Sequence, residues 1–112
     1  MGLDQYAFVE VDEPLEFAYW RKHPNLQGWM ENLWRKQNPE SEEDFNCINL
    51  YLTKENIEEL ESTILNNRLP ETSGFFFGQD SDEYYKEKDL EFISKAKEYL
   101  AKGYKIYYGS WW

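Results

Sequence analysis

The sequence predicts an α+β fold, a small, mainly antiparallel sheet with three helices packed against it in the order ββαβααβ. Three observations carry this. After Pro24, the apolar residues Leu26, Trp29, Met30, Leu33 and Trp34 recur at the spacing of one helical stripe. Short apolar or alternating runs at 5–11, 15–20, 45–52 and 104–108 read as strands. Two further helical stripes, around Ile57 and Ile93, fall between the last two of these runs. At 112 residues, the chain is read as a single domain spanning 1–112.

The first strand is Gln5–Val11, with Tyr6 and Phe8 on one face and Ala7 and Val9 on the other. A turn through Asp12, Glu13 and Pro14 leads into Leu15–Trp20, with Leu15, Phe17 and Tyr19 expected on one side. Pro24 suits the first turn of a helix, where its missing N–H has no intrahelical acceptor. It also biases His23 away from helical backbone. Burial of each stripe residue would contribute roughly 1.5–3 kcal/mol before ordering entropy is subtracted, so Trp29 and Leu33 are expected in the core. The helix should end near Lys36, where basic side chains meet the negative end of the dipole.

Residues 37–44 form a polar, acidic connector. Phe45–Leu52 is apolar on both faces, which predicts a strand inside the sheet rather than at its edge. Thr53 is a good N-cap for the next helix, whose stripe is Ile57, Leu60, Ile64 and Leu65. Asn66 and Asn67 can take left-handed backbone and end it. Leu69–Gln79, with three phenylalanines between glycines, fits a structured loop. Asp80 and Glu83 have capping-box spacing. Leu90, Ile93, Lys97 and Leu100 then mark a core-facing line, with Phe92, Ala96 and Tyr99 beside it. Gly103 stops the helix, and Tyr104–Tyr108 is the last strand, with Tyr104, Ile106 and Tyr108 on one face.

Composition narrows the function classes. The net charge is −10, from 22 acidic and 12 basic residues. Direct nucleic-acid binding is disfavoured, because such affinity comes from neutralising phosphates. The acidity fits a partner with a basic surface. Aromatic residues make up 19% of the chain, more than a small core needs. The single Cys47 cannot form an internal disulfide and fits a reducing, cytoplasmic setting. No run is long and apolar enough for a membrane span, so no membrane partner is expected. No HExxH, EF-hand or CxxC spacing occurs, so neither metal nor cofactor is expected.

Four segments together resemble a known family. They are Met1-Gly2-Leu3-Asp4; Tyr19-Trp20-Arg21-Lys22; Ser73-Gly74-Phe75-Phe76-Phe77-Gly78 with Glu83-Tyr84-Tyr85; and the closing Ser110-Trp111. The chain is similar along nearly its whole length to small proteins of bacteriophage and prophage genomes. Some of these carry a phosphoglycerate kinase label. The chain is far too short for that two-domain enzyme and lacks a recognisable nucleotide-binding loop. The resemblance implies a phage origin and work in the cytoplasm of an infected bacterium, and it implies no particular activity. Relatives place a histidine one helical turn beyond Tyr-Trp-Arg-Lys. Here that position is Gln27 and the histidine is His23, so no histidine role carries over.

The stretch from Tyr19 to Trp34 holds three of the five tryptophans, the one histidine and the cationic triplet Arg21-Lys22-His23. At a helix N-terminus this triplet could bind an anion, or Arg21 could instead pair with Asp4, Glu83 or Asp89 as a strut. The candidate anion- or partner-binding set is Tyr19, Arg21, Lys22, His23 and Asn25. Ser73 and Gly74 join it from the glycine-phenylalanine stretch, and Tyr84, Tyr85 and Trp111 from the aromatic surplus. No assembled catalytic motif is present. The leading expectation is a non-enzymatic binding protein acting on a host or phage protein. A small-ligand site at Arg21-Lys22-His23 and an acidic mimic of nucleic acid are the alternatives.

Overall fold

The computed structural model describes residues 3–21, 23–42, 44–45, 48–69 and 82–111, with backbone alone at 82–84. Strands β1 (Asp4–Glu10) and β2 (Pro14–Arg21) form a hairpin. Helix α1 (Pro24–Gln37), strand β3 (Leu50–Leu52), helices α2 (Lys54–Leu65) and α3 (Asp82–Ala101), and strand β4 (Lys105–Trp111) follow. This is the expected ββαβααβ order, an α+β fold with one four-stranded sheet. The sheet runs β2-β1-β4-β3 with every neighbouring pair antiparallel.

Alternation gives the sheet two unlike faces. On the inner face Gln5, Ala7 and Val9 of β1, Ile106, Tyr108 and Ser110 of β4, Leu50 and Leu52 of β3, and Trp20 of β2 are all buried. The helices close this side with Leu26, Met30 and Trp34 of α1, Ile57, Leu60 and Ile64 of α2, and Phe92, Ile93 and Ala96 of α3. Trp20 meets Phe92 edge-on at 5.1 Å between centroids.

Local signals act as the sequence suggests. Pro24 opens α1, with Arg35 and Lys36 in its last turn. Thr53 Oγ1 accepts from Asn56 N at 3.2 Å, and Asn56 Oδ1 accepts from Thr53 N at 2.9 Å, a reciprocal cap. Asn67 (φ 53°) and Gly103 (φ 88°) take the left-handed backbone that ends their helices. Among the described residues, no helix is long and apolar enough to cross a membrane.

Other expectations are corrected. The strand expected at 45–52 inside the sheet is three residues long and lies at its edge. Phe45 lies outside the strand and packs between Trp34 (5.4 Å) and Tyr108 (6.2 Å), while Tyr51, expected on the same apolar face, is exposed. Leu15, Phe17 and Tyr19 do not share a side. Ala7 pairs with Ala18 and Phe8 with Glu16, so Phe17 is the extra residue of a bulge. It turns onto Phe92 and Tyr99 of α3, while Tyr19 lies against Tyr6 and Leu15 is exposed.

Trp29 and Leu33 are half-buried at the margin of the core, because α1 turns its Leu26–Met30–Trp34 line to the sheet. Leu65 is exposed. Lys97 is not on the core line of α3; it reaches Glu61 of α2 at 2.6 Å in solvent. Strand β4 runs on through Trp111, and Tyr104 precedes it, exposed. Cys47, most of the Leu69–Gln79 stretch and the Asp80 cap lie outside the described residues.

Candidate functional site

The sequence-predicted residues separate into two places, one closed and one open. The closed place lies where β2 gives way to α1. His23 and Asp89 are 0% and 1% exposed, and His23 Nε2 lies 2.7 Å from Asp89 Oδ2. The other carboxylate oxygen, Oδ1, accepts from Trp20 Nε1 at 2.9 Å. The imidazole stacks on the Tyr85 ring at 4.7 Å, and the Tyr85 hydroxyl donates to the Arg21 carbonyl.

Gln5 holds the backbone of His23 from below. Its Oε1 accepts from His23 N at 2.8 Å, and its Nε2 donates to His23 O at 3.0 Å. The same Nε2 donates to the Tyr108 hydroxyl at 2.8 Å, which in turn donates to Gln27 Oε1 at 2.6 Å. Gln27 Nε2 donates to Phe45 O at 3.3 Å. Burial pushes the Tyr108 hydroxyl far above its ordinary value, against the opposing pull of its hydrogen bonds with Gln5 and Ser110. It therefore stays protonated and keeps donating.

Among the described residues, no buried side-chain nitrogen or oxygen lacks a partner. The network is thus complete, and it joins the hairpin, α1, α3 and β4 at one point. Such networks rigidify and specify a core when every member is satisfied. His23 and Asp89 have the residue types of a general acid–base pair. They are sealed from solvent, and each Asp89 oxygen already holds a donor.

Arg21 does not join His23. It stands opposite Asp4 in the β1–β2 ladder, on the outer face, and is exposed. Asn25 is buried. Of the three side chains proposed to hold an anion, Arg21 and His23 are not brought together: Arg21 faces outward and His23 binds a carboxylate inside. Lys22 lies outside the described residues. Ser73, Gly74 and the Tyr84 side chain also lie outside them. Among the described residues, no three His, Cys, Asp or Glu side chains gather as a metal site requires.

The open place is the outer face of the sheet. Here Tyr6 and Phe8 of β1, Tyr19 of β2, Tyr51 of β3, and Tyr107 and Trp111 of β4 form one connected array of rings. Tyr6 meets Tyr19 (5.2 Å), Trp111 (6.0 Å) and Phe8 (6.1 Å); Tyr107 meets Phe8 (5.2 Å) and Tyr51 (5.3 Å). Trp111 is 60% exposed and Tyr51 46%. Gly109 sits opposite Tyr6 in the β1–β4 ladder, between Tyr107 and Trp111 along its own strand. With no side chain at 109, a slot of about 380 Å³ opens there, lined by Tyr6, Phe8, Asn49, Tyr107 and Trp111.

Carboxylates at the margin and burial within the array both raise its hydroxyls. Hydrogen bonding to Asp4 lifts Tyr19, and hydrogen bonding to Glu10 lifts Tyr51. Burial first, then the charges of Asp4 and Glu16, lifts Tyr6; burial, then Glu10, lifts Tyr107. Of the sequence-predicted residues, Tyr19, Arg21 and Trp111 belong to this face. Sequence reasoning placed Tyr6 and Phe8 together but did not identify them as a surface. The signal was there in Asp4-x-Tyr6-x-Phe8-x-Glu10, an alternating polar and aromatic row beside an apolar one.

Comparison with family models, with curated proteins and with solved structures found no match.

Proposed function

We propose that this chain is a phage-encoded, non-enzymatic binding protein that engages a host or phage protein through the outer face of its sheet. The observation that supports this reading is the connected ring array, which ends in the exposed Trp111 and Tyr51. Aromatic side chains supply large contact area at low entropic cost and dominate protein–protein hot spots. Single exposed apolar residues are ordinary, whereas a contiguous patch marks an interaction surface. A net charge of −10 opposes a nucleic-acid partner for the same rings.

The test is affinity capture from a bacterial host lysate with identification by mass spectrometry. The wild-type chain is compared with Trp111→Ala/Tyr51→Ala and with Lys97→Ala, which alters the helical side. A partner held by wild type and Lys97→Ala and lost by the double variant is expected. Equal capture by all three would remove the outer face from the reading. A thermal melt of each variant checks that the fold is intact.

A further inference from the structure

The row on β1 that carries Tyr6 and Phe8 ends in a carboxylate on each side, Asp4 and Glu10. Both are anchored. The Tyr19 hydroxyl donates to Asp4 Oδ1 at 2.9 Å, and the Tyr51 hydroxyl donates to a Glu10 oxygen. A carboxylate has about four acceptor positions, so one donor each leaves most of that capacity unused. The ladder places Arg21 opposite Asp4 and Lys105 opposite Glu10. Neither comes within 4.0 Å, and the ion pairs among the described residues all lie elsewhere.

Two positioned anions thus flank an array of rings, with Glu16 as a third acid on the same face. Ring faces attract cations, and more strongly when the pair is shielded from water. Between the two carboxylates lies the slot over Gly109. A Cβ at 109 would meet Asn49 Oδ1 at 3.6 Å and the Ile48 carbonyl at 3.8 Å, ordinary contact distances, so a side chain at 109 would fit there and take up part of the slot.

We propose that the outer face takes an extended, basic segment of a protein partner, with arginine or lysine side chains at the Asp4 and Glu10 ends and an apolar or ring side chain in the slot over Gly109. The inference rests on the outer face being the docking surface, and adds what it selects. Six steps along a strand separate the anions by about 20 Å, so the matching cations lie about six residues apart, at the two ends of an extended peptide of about seven residues. Arginine suits such ends, because its fork can bind a carboxylate with two parallel hydrogen bonds.

The test uses synthetic peptides of about seven residues, with serine elsewhere and a tryptophan two residues from one end, where it shares a face with both end side chains. Their ends are arginine, serine or glutamate. Binding to the intact chain is followed by NMR through the amides of Tyr6, Phe8, Tyr107 and Gly109 and the Trp111 indole. The arginine-ended peptide should bind at least about tenfold tighter than the serine-ended one, and the glutamate-ended one should not bind. Added salt should erase most of that preference.

Asp4→Asn with Glu10→Gln keeps acceptors for the tyrosine hydroxyls and should remove the tenfold preference. Gly109→Val, or the milder Gly109→Ala, should weaken both the arginine- and serine-ended peptides by filling the slot. Equal binding of these two peptides would overturn the basic-segment inference and leave the face as a docking surface. Lack of any peptide response, with a lysate partner still lost by Trp111→Ala/Tyr51→Ala, would also overturn the inference alone. Failure of both experiments would overturn the docking surface itself.

Discussion

The two faces of this sheet are both rich in aromatic residues, yet they use them differently. On the inner face, rings come with polar atoms that are all paired: Trp20 to Asp89, and Tyr108 to Gln5 and Gln27. On the outer face, rings pack mainly on one another, and their hydroxyls tether carboxylates at the margin. Inside, a lost partner leaves a desolvated group stranded. Outside, water replaces it. The same residue type therefore supports stability on one side and remains available for recognition on the other.

The largest expected effect tests the inner side of this contrast. Asp89→Ala strips the partner from His23 and from Trp20 Nε1 in a sealed site. It should lower unfolding free energy by about 3–5 kcal/mol, read from chemical denaturation. A shift below about 1 kcal/mol would mean that the network is not a structural tie.

Next is one substitution made on both faces. Tyr108→Phe should cost about 1–3 kcal/mol, because Gln5 and Gln27 each lose a buried partner. Tyr19→Phe should cost only about 0.5–1 kcal/mol, since Asp4 can turn to water. Equal costs would break the comparison. Alkali sharpens it. The folded state raises the Tyr108 hydroxyl above its ordinary 10.0, so above that value the unfolded chain loses this proton first. Stability should then fall as pH rises past about 10, and less steeply in Tyr108→Phe. Denaturation midpoints across an alkaline series would show this.

The smallest expected effect is that of Trp111→Ala. The indole is 60% exposed, so the melting curve should correspond to a change of no more than about 0.5 kcal/mol. A large loss would mean that the ring is a structural lid rather than a contact for a partner.

Much of the fold was legible because helix stripes and caps are local. Thr53, Asn67 and Gly103 act through residues a few positions away, and their roles follow from the sequence. Strand order was not legible, since nothing in β3 itself states that β4 will lie beside it at the edge. The Phe17 bulge was hidden for the same reason: it exists only in register with Ala7 and Phe8.

Asp89 was named among possible partners of Arg21, but it serves His23, because the strand sends Arg21 to one face and Trp20 to the other. Gln5 gave no signal, as a polar residue in a strand is ordinarily read as solvent-facing. Of the candidate site, Trp111 was found through aromatic surplus and Tyr19 through its place in the stretch that opens α1. Tyr6, Phe8 and Gly109 required the sheet, which brings distant rows side by side.

The sheet order also has a consequence for biosynthesis. Strand β4 lies between β1 and β3, pairing Asp4 with Trp111 and Leu50 with Tyr108. While a ribosome is still adding the residues after Ala101, the hairpin has only its own two strands, and isolated hairpins are marginal in water. The nascent chain can form its helices early, because they close locally, but the sheet must wait for Trp111 to leave the exit tunnel. Folding is then governed by closure of the longest loop in the molecule, the slow kind of pairing. Until that moment β1 lacks one of its two neighbours, and neither face of the sheet is complete.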